Sequence, residues 1–116
     1  MNNPITQEIN LSDVQEAFSK NLFTTVYQAQ VSLNHPDKIL GAEAFVRLDH
    51  PDHGLMVPGT FLPIIAENSL MLDLTKTVLR LVAHDWVVWN KQGYDLNISV
   101  NVDDSLLLEE NLIQEF

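Results

Sequence analysis

Four residues in this chain have the types and spacing to act on an anionic or metal-bound ligand. Glu43 and Arg47 stand four apart in "GAEAFVRLDHP", Gln28 lies in "VYQAQVSL", and Asn101 lies in "ISVNV". A carboxylate and an amide oxygen, from Glu43 and Asn101, are hard donors suited to Mg²⁺, Mn²⁺ or Ca²⁺. Two such ligands do not make a site, because an octahedral ion takes six. Arg47 can hold a phosphate through two parallel N–H bonds, and can equally be a solvent-facing strand arginine. Gln28 can bond a nucleobase edge or simply line a polar surface. At ~3.3 Å per strand residue, Glu43 and Arg47 are ~13 Å apart along one face, so they do not neutralise each other.

The remaining candidates are weaker. His50 and His53 share a Pro/Gly loop but lack the further ligands a zinc site needs. His35 falls in a turn and His84 on a mainly apolar helix. Asp103 and Asp104 open a helical pattern, where acids favour the positive dipole end, and read as caps. The sequence holds no glycine-rich phosphate loop.

These residues must be positioned by recognisable elements. "LSDVQEAFSK" predicts a short helix, with Ser12 as N-cap and Gln15 completing a capping box. "VYQAQVSL" alternates: Tyr27, Ala29, Val31 and Leu33 on one face, Gln28, Gln30 and Ser32 on the other. "NHPDK" is a turn, and the strand Ile39 to Leu48 returns as a hairpin. Leu40, Ala42, Ala44, Val46 and Leu48 form its apolar face; Gly41, Glu43, Phe45 and Arg47 form the other. "DHPDHGLMVPG" reads as a loop too long for a hairpin connection, and so as a ligand loop. Thr60 is expected to cap a helix over "FLPIIAE", with Pro63 in its first turn. The longest helix runs from Leu70 to about Lys91, with Met71, Leu74, Val78, Val82, Trp86 and Trp89 as its stripe, widened by Leu79 and Ala83. Gly93 follows as its C′ residue. "YDLNISVNV" is a third alternating strand, with Asn97, Ser99 and Asn101 on its polar face, and Asp103 caps a last helix containing Leu106, Leu107, Ile113 and Phe116.

Three strands with one apolar and one polar face suit an antiparallel sheet wet on one side. They also suit the start of a barrel whose apolar faces meet an outer ring of helices. The long helix leading into the third strand favours the barrel, since a crossover helix joins parallel strands. The predicted fold class is therefore α/β, the first half of a (β/α) barrel with an N-terminal hairpin.

The 116 residues amount to one domain or part of one, with residues 1–11 as a loose N-terminal segment. Six basic against sixteen acidic residues give a formal charge of -10, which argues against duplex DNA or an anionic membrane as partner. The chain has no cysteine, no signal-peptide pattern and no apolar run approaching the ~20 residues of a membrane span, and reads as cytoplasmic.

Taken together, the motifs resemble those of EAL domains, the cyclic di-GMP phosphodiesterase family. They are Tyr27-Gln28, Glu43-Ala44-Phe45-Val46-Arg47, His50-Pro51, Pro58 with Phe61, Pro63 and Ala66-Glu67, Trp89 to Gly93, and Val100-Asn101. The resemblance covers about residues 12 to 110, nearly the whole chain. It implies a barrel whose first hairpin strand is antiparallel to the rest. It also implies roles: Glu43 and Asn101 as metal ligands, Arg47 as a phosphate contact, Gln28 as a guanine contact, and Phe45 lining the ligand. Family members use two Mg²⁺ or Mn²⁺ ions to hydrolyse cyclic di-GMP to linear pGpG, the logic of two-metal displacement.

Three positions depart from the family pattern. Phe45 stands where the signature has leucine, Ala29 where a proline is usual, and Asp103 where a serine is usual. The sequence ends roughly halfway through such a domain, before the remaining glutamates, the aspartate pair and the lysine. The resemblance therefore implies hydrolysis for a complete parent and none for this chain alone. A half barrel leaves sheet edges open, so self-association or pairing with the missing half is expected. A degenerate, non-catalytic relative acting through nucleotide or protein binding is the alternative.

Overall fold

The computed structural model describes residues 8–100. Helix α1 (Leu11–Ser19) leads into the hairpin β1 (Phe23–Val31) and β2 (Ile39–His50). A short β3 (Gly54–Met56), helices α2 (Pro58–Glu67) and α3 (Met71–Lys91), and β4 (Asn97–Val100) follow. β1 pairs antiparallel with β2, from Phe23↔Leu48 to Gln30↔Gly41, before the register shifts at Val31↔Ile39. β4 pairs parallel with β2, from Gly41↔Asn97 to Ala44↔Val100. Residues 41–44 of β2 therefore bond to β1 on one edge and β4 on the other. The parallel pair, with α3 as its crossover, is the α/β arrangement expected, and the antiparallel hairpin precedes it.

The apolar faces of the hairpin meet the helices. Phe23, Ala44 and Leu48 pack in one cluster with Val14 and Ala17 of α1, Phe61 and Ile65 of α2, and Leu74, Val78 and Val82 of α3. The Phe23 ring sits 4.8 Å from Phe18 and 5.6 Å from Phe61, both tilted or edge-on, as aromatic quadrupoles prefer. The apolar pattern outruns this cover at the hairpin tip, where Val31, Ile39 and Leu40 are exposed and Leu33 is 98% exposed. Among the described residues, no helix is long and apolar enough to cross a membrane.

Several local expectations are corrected. The N-cap of α1 is Asn10, not Ser12, with Asp13 closing the capping box: Asn10 Oδ1 accepts from the Asp13 amide at 3.1 Å, and Asp13 Oδ2 from the Asn10 amide at 2.9 Å. Both placements satisfy the local rule. The earlier one wins because it also aims Asp13 Oδ1 at His50 Nε2, 3.0 Å away.

The expected long ligand loop is instead a tight hairpin. Pro51–His53 alone connect β2 to β3, with His50↔Gly54 as the closing pair and Gly54 at φ 72, a left-handed residue that suits glycine. α2 begins at Pro58, not near Phe61, and Thr60 Oγ1 donates to the Val57 carbonyl rather than capping the helix. Pro58 takes the first helical position, so Pro63 falls inside the helix and not in its first turn.

α3 ends as its sequence predicts. Gly93, at φ 95, donates to the Asn90 carbonyl and Tyr94 to the Trp89 carbonyl, both at 3.0 Å, a Schellman ending. The stripe is buried at Leu74, Val78 and Val82, whereas Ala83 and Trp86 are exposed. Trp86 instead clasps the chain that enters β4, its Nε1 donating to the Leu96 carbonyl at 3.1 Å.

Candidate functional site

Alternation and register together build a polar lattice on the face of the sheet turned away from the helices. One row runs Gln28–Glu43–Ser99 across β1, β2 and β4, and the next runs Gln30–Gly41–Asn97. Above them Val26 stands opposite Phe45, and Thr24 opposite Arg47. Gly41 sets the spacing of the lower row. A Cβ there would lie 2.4 Å from the Asn97 carbonyl oxygen, so only glycine lets β4 approach this closely.

The functional side chains on this face are half-buried and lightly partnered. Glu43, Phe45 and Arg47 are each intermediate in exposure, while Gln28, Asn97 and Ser99 are exposed. Arg47 Nη1 donates to the Val46 carbonyl at 2.9 Å, and its Cζ lies 6.0 Å from the Phe45 ring centre. Among the described residues, neither Glu43 nor Arg47 enters an ion pair. A carboxylate beside an amide and a hydroxyl, with a guanidinium further up the same face, can bind a phosphate-bearing ligand with hydrogen-bonding edges.

Gln28, Glu43, Phe45 and Arg47 are thus brought onto one face. Asn101, Asp103 and Asp104, with the last predicted helix, lie outside the described residues. Ser99 and Asn97 were legible as polar strand positions, but their alignment with Glu43 and Gly41 needed the parallel register. Among the described residues, no group of three or more His, Asp or Glu is placed to hold a metal ion. Glu43 has the donor chemistry for a hard cation as one ligand of several, and the described residues do not complete the set.

Two other polar clusters do structural work. His50, only 7% exposed, accepts at Nδ1 from the Asp52 and His53 amides at 3.0 and 3.3 Å, which leaves the proton on Nε2 to be donated to Asp13. The His50 bond, then the Asn10 amide, holds the Asp13 carboxyl below its ordinary value. On the helix side, the Tyr27 hydroxyl donates to Asp85 Oδ2 of α3, and its ring packs 4.8 Å from Trp89. Burial, reinforced by Asp85, pushes the Tyr27 phenol up to about 12, so it stays a neutral donor.

The comparisons with known proteins agree with this architecture. The family described as "EAL domain" matches residues 11–116. The signaling protein YkoW of Bacillus subtilis (strain 168) is 32% identical over 100 residues, 86% of this chain and 12% of YkoW. The bifunctional diguanylate cyclase/cyclic di-GMP phosphodiesterase MucR of Pseudomonas aeruginosa is 34% identical over 94 residues, 79% of this chain and 13% of MucR. The solved phosphodiesterase PaMucR, in complex with c-di-GMP, superposes with a TM-score of 0.81 at 30% identity, over 90% of this chain and 42% of that one. The chain therefore spans a small part of its curated relatives and about two fifths of that solved structure, and within that span it belongs to the EAL domain family.

Proposed function

We propose that the polar face of β1, β2 and β4 binds cyclic di-GMP, with Arg47 on a phosphate, Gln28 on a guanine edge and Phe45 against the ligand. The observation that carries this reading is the lack of any ion pair to Glu43 and Arg47 among the described residues, although both are half-buried. An arginine fork and a carboxylate so placed keep donors and acceptors for a charged ligand. Glu43 and Asn101 would supply a carboxylate and an amide oxygen to Mg²⁺ or Mn²⁺. Such an ion supplies Lewis-acid polarisation of a phosphoryl oxygen when bound. Hydrolysis to pGpG needs more ligands and a base than these residues provide, so it is assigned to a complete EAL domain and not to this chain alone. The test is calorimetric titration with cyclic di-GMP in Mg²⁺ or Ca²⁺. Binding that Arg47→Ala abolishes is expected, and an Arg47→Ala variant that binds like the parent chain would sink the reading.

A non-catalytic relative, acting by nucleotide or protein binding, is favoured by Phe45 at the position of the signature leucine. Linearisation of cyclic di-GMP in Mn²⁺ by the 116-residue chain would overturn both that alternative and the claim of catalytic incompleteness. The same reading places the chain in the cytoplasm, in keeping with its lack of cysteine. It also makes the outer edges of β1 and β4, which pair with no other strand among the described residues, pairing surfaces for a second copy or the rest of a barrel. A monodisperse monomer in light scattering would remove the self-association.

A further inference from the structure

We propose that Phe45 is a positioning residue for Arg47: its ring holds the guanidinium in place for a phosphate-bearing ligand before that ligand arrives. The inference rests on the proposed phosphate role of Arg47 and adds a role for the aromatic at the signature leucine position. Residues 45 and 47 are two apart in β2 and so share a face. The Arg47 Cζ lies 6.0 Å from the Phe45 ring centre, at the limit where a guanidinium is attracted by the ring quadrupole. Nη1 is tied to the Val46 carbonyl at 2.9 Å.

One face and one nitrogen of the fork are thereby fixed, and the other N–H donors remain available, since the described residues offer Arg47 no carboxylate. The ring is itself steadied. Val26 stands opposite it in register, and both are half-buried, so an apolar pair sits in the middle of the polar lattice. A leucine at position 45 could cover Val26 but has no π face to hold a cation. Restricting a long, flexible side chain in its bound pose removes part of the ordering cost of binding.

Two arms test the inference, using the whole chain. In the first, the arginine side chains are ¹⁵N-labelled, and the Arg47 Nε–Hε and Hδ signals are read without ligand. A ring-current displacement is expected in the parent and in Phe45→Tyr, and its loss in Phe45→Leu. Absence of the displacement in the parent overturns the inference, whatever the chain binds. In the second arm, cyclic di-GMP is titrated by calorimetry. Phe45→Leu is expected to weaken binding about two- to fivefold, with Phe45→Tyr close to the parent.

Equal or tighter binding by Phe45→Leu would mean that the ring crowds the ligand, and would overturn the positioning role. If the parent does not bind cyclic di-GMP, the proposed function fails separately. Inorganic pyrophosphate then serves as the anionic probe of the Arg47 Nε signal. The same ranking, parent and Phe45→Tyr above Phe45→Leu, is required there, and any other ranking overturns the inference.

Discussion

On one face of β2, Ala42, Ala44, Leu48 and His50 are buried, while on the other Glu43, Phe45 and Arg47 stay half-exposed. The two faces belong to the same twelve residues and differ only by the period of two. The buried face is over-determined. Its apolar members Ala44 and Leu48 belong to one cluster with residues of three helices, and its one polar member, His50, has both ring nitrogens engaged. On the opposite face, the described residues give Glu43 no ion pair, and give Arg47 only a neighbouring carbonyl and a ring. Stability is concentrated on the first face and spare binding capacity on the second. Substitutions should separate the two.

The largest effect is expected at Leu48, which is fully buried at the centre of the core. Leu48→Ala removes apolar volume that α1 and α2 cannot refill, and should cost roughly 2–5 kcal/mol in denaturant unfolding. A cost below about 1 kcal/mol would mean that the helices do not pack on this face as described. Next comes Gly41, on the polar face but with a structural task. Gly41→Ala drives a Cβ into the Asn97 carbonyl at 2.4 Å, an overpacking that typically costs about 1–3 kcal/mol. Amide exchange should show the loss concentrated in β4. A uniform loss, or none, would break the claim that Gly41 sets the β2–β4 approach.

A smaller effect belongs to the Asp13–His50 pair at the end of the buried face. Asp13 has a folded pKa below its unfolded value, because His50 and the Asn10 amide hydrogen-bond its charged form. Its contribution is therefore fully present above the ordinary aspartate range near ~4, and is lost as pH falls through the lowered folded value. Asp13→Asn should flatten the acid limb of the stability profile while leaving the neutral-pH fold intact. An unchanged acid limb would remove this carboxylate from the account.

How much of this was legible in the sequence differs by range. The alternation of β1, β2 and β4 assigned both faces, and the 3- and 4-residue stripe with Gly93 gave α3 and its ending. Residues whose setting depends on distant partners were not legible. Asn10 and Ser12 are equally good caps locally, and the choice is made by His50, thirty-seven residues beyond Asp13. The turn at Pro51–His53 looked like an open loop, because nothing local reveals that the His50 ring collects its amides. Of the site, the shared face of Gln28, Glu43, Phe45 and Arg47 followed from parity and hairpin pairing. The alignment of Ser99 with Glu43 did not, since parallel register depends on how closely β4 can approach Gly41.

The smallest stability effect should come from Glu43, and it is the sharpest test of the two faces. Glu43→Gln keeps the shape and the hydrogen-bonding oxygen and removes only the charge. No ion pair among the described residues depends on that charge. Unfolding free energy should therefore stay within about 0.5 kcal/mol of the parent, the range for surface changes that break no named interaction. Under the proposed function, the divalent-cation dependence of cyclic di-GMP binding should fall away in the same variant. A Glu43→Gln chain that loses more than about 2 kcal/mol would show the carboxylate to be structural, and the distinction between the faces of β2 would fail at the residue on which it most depends.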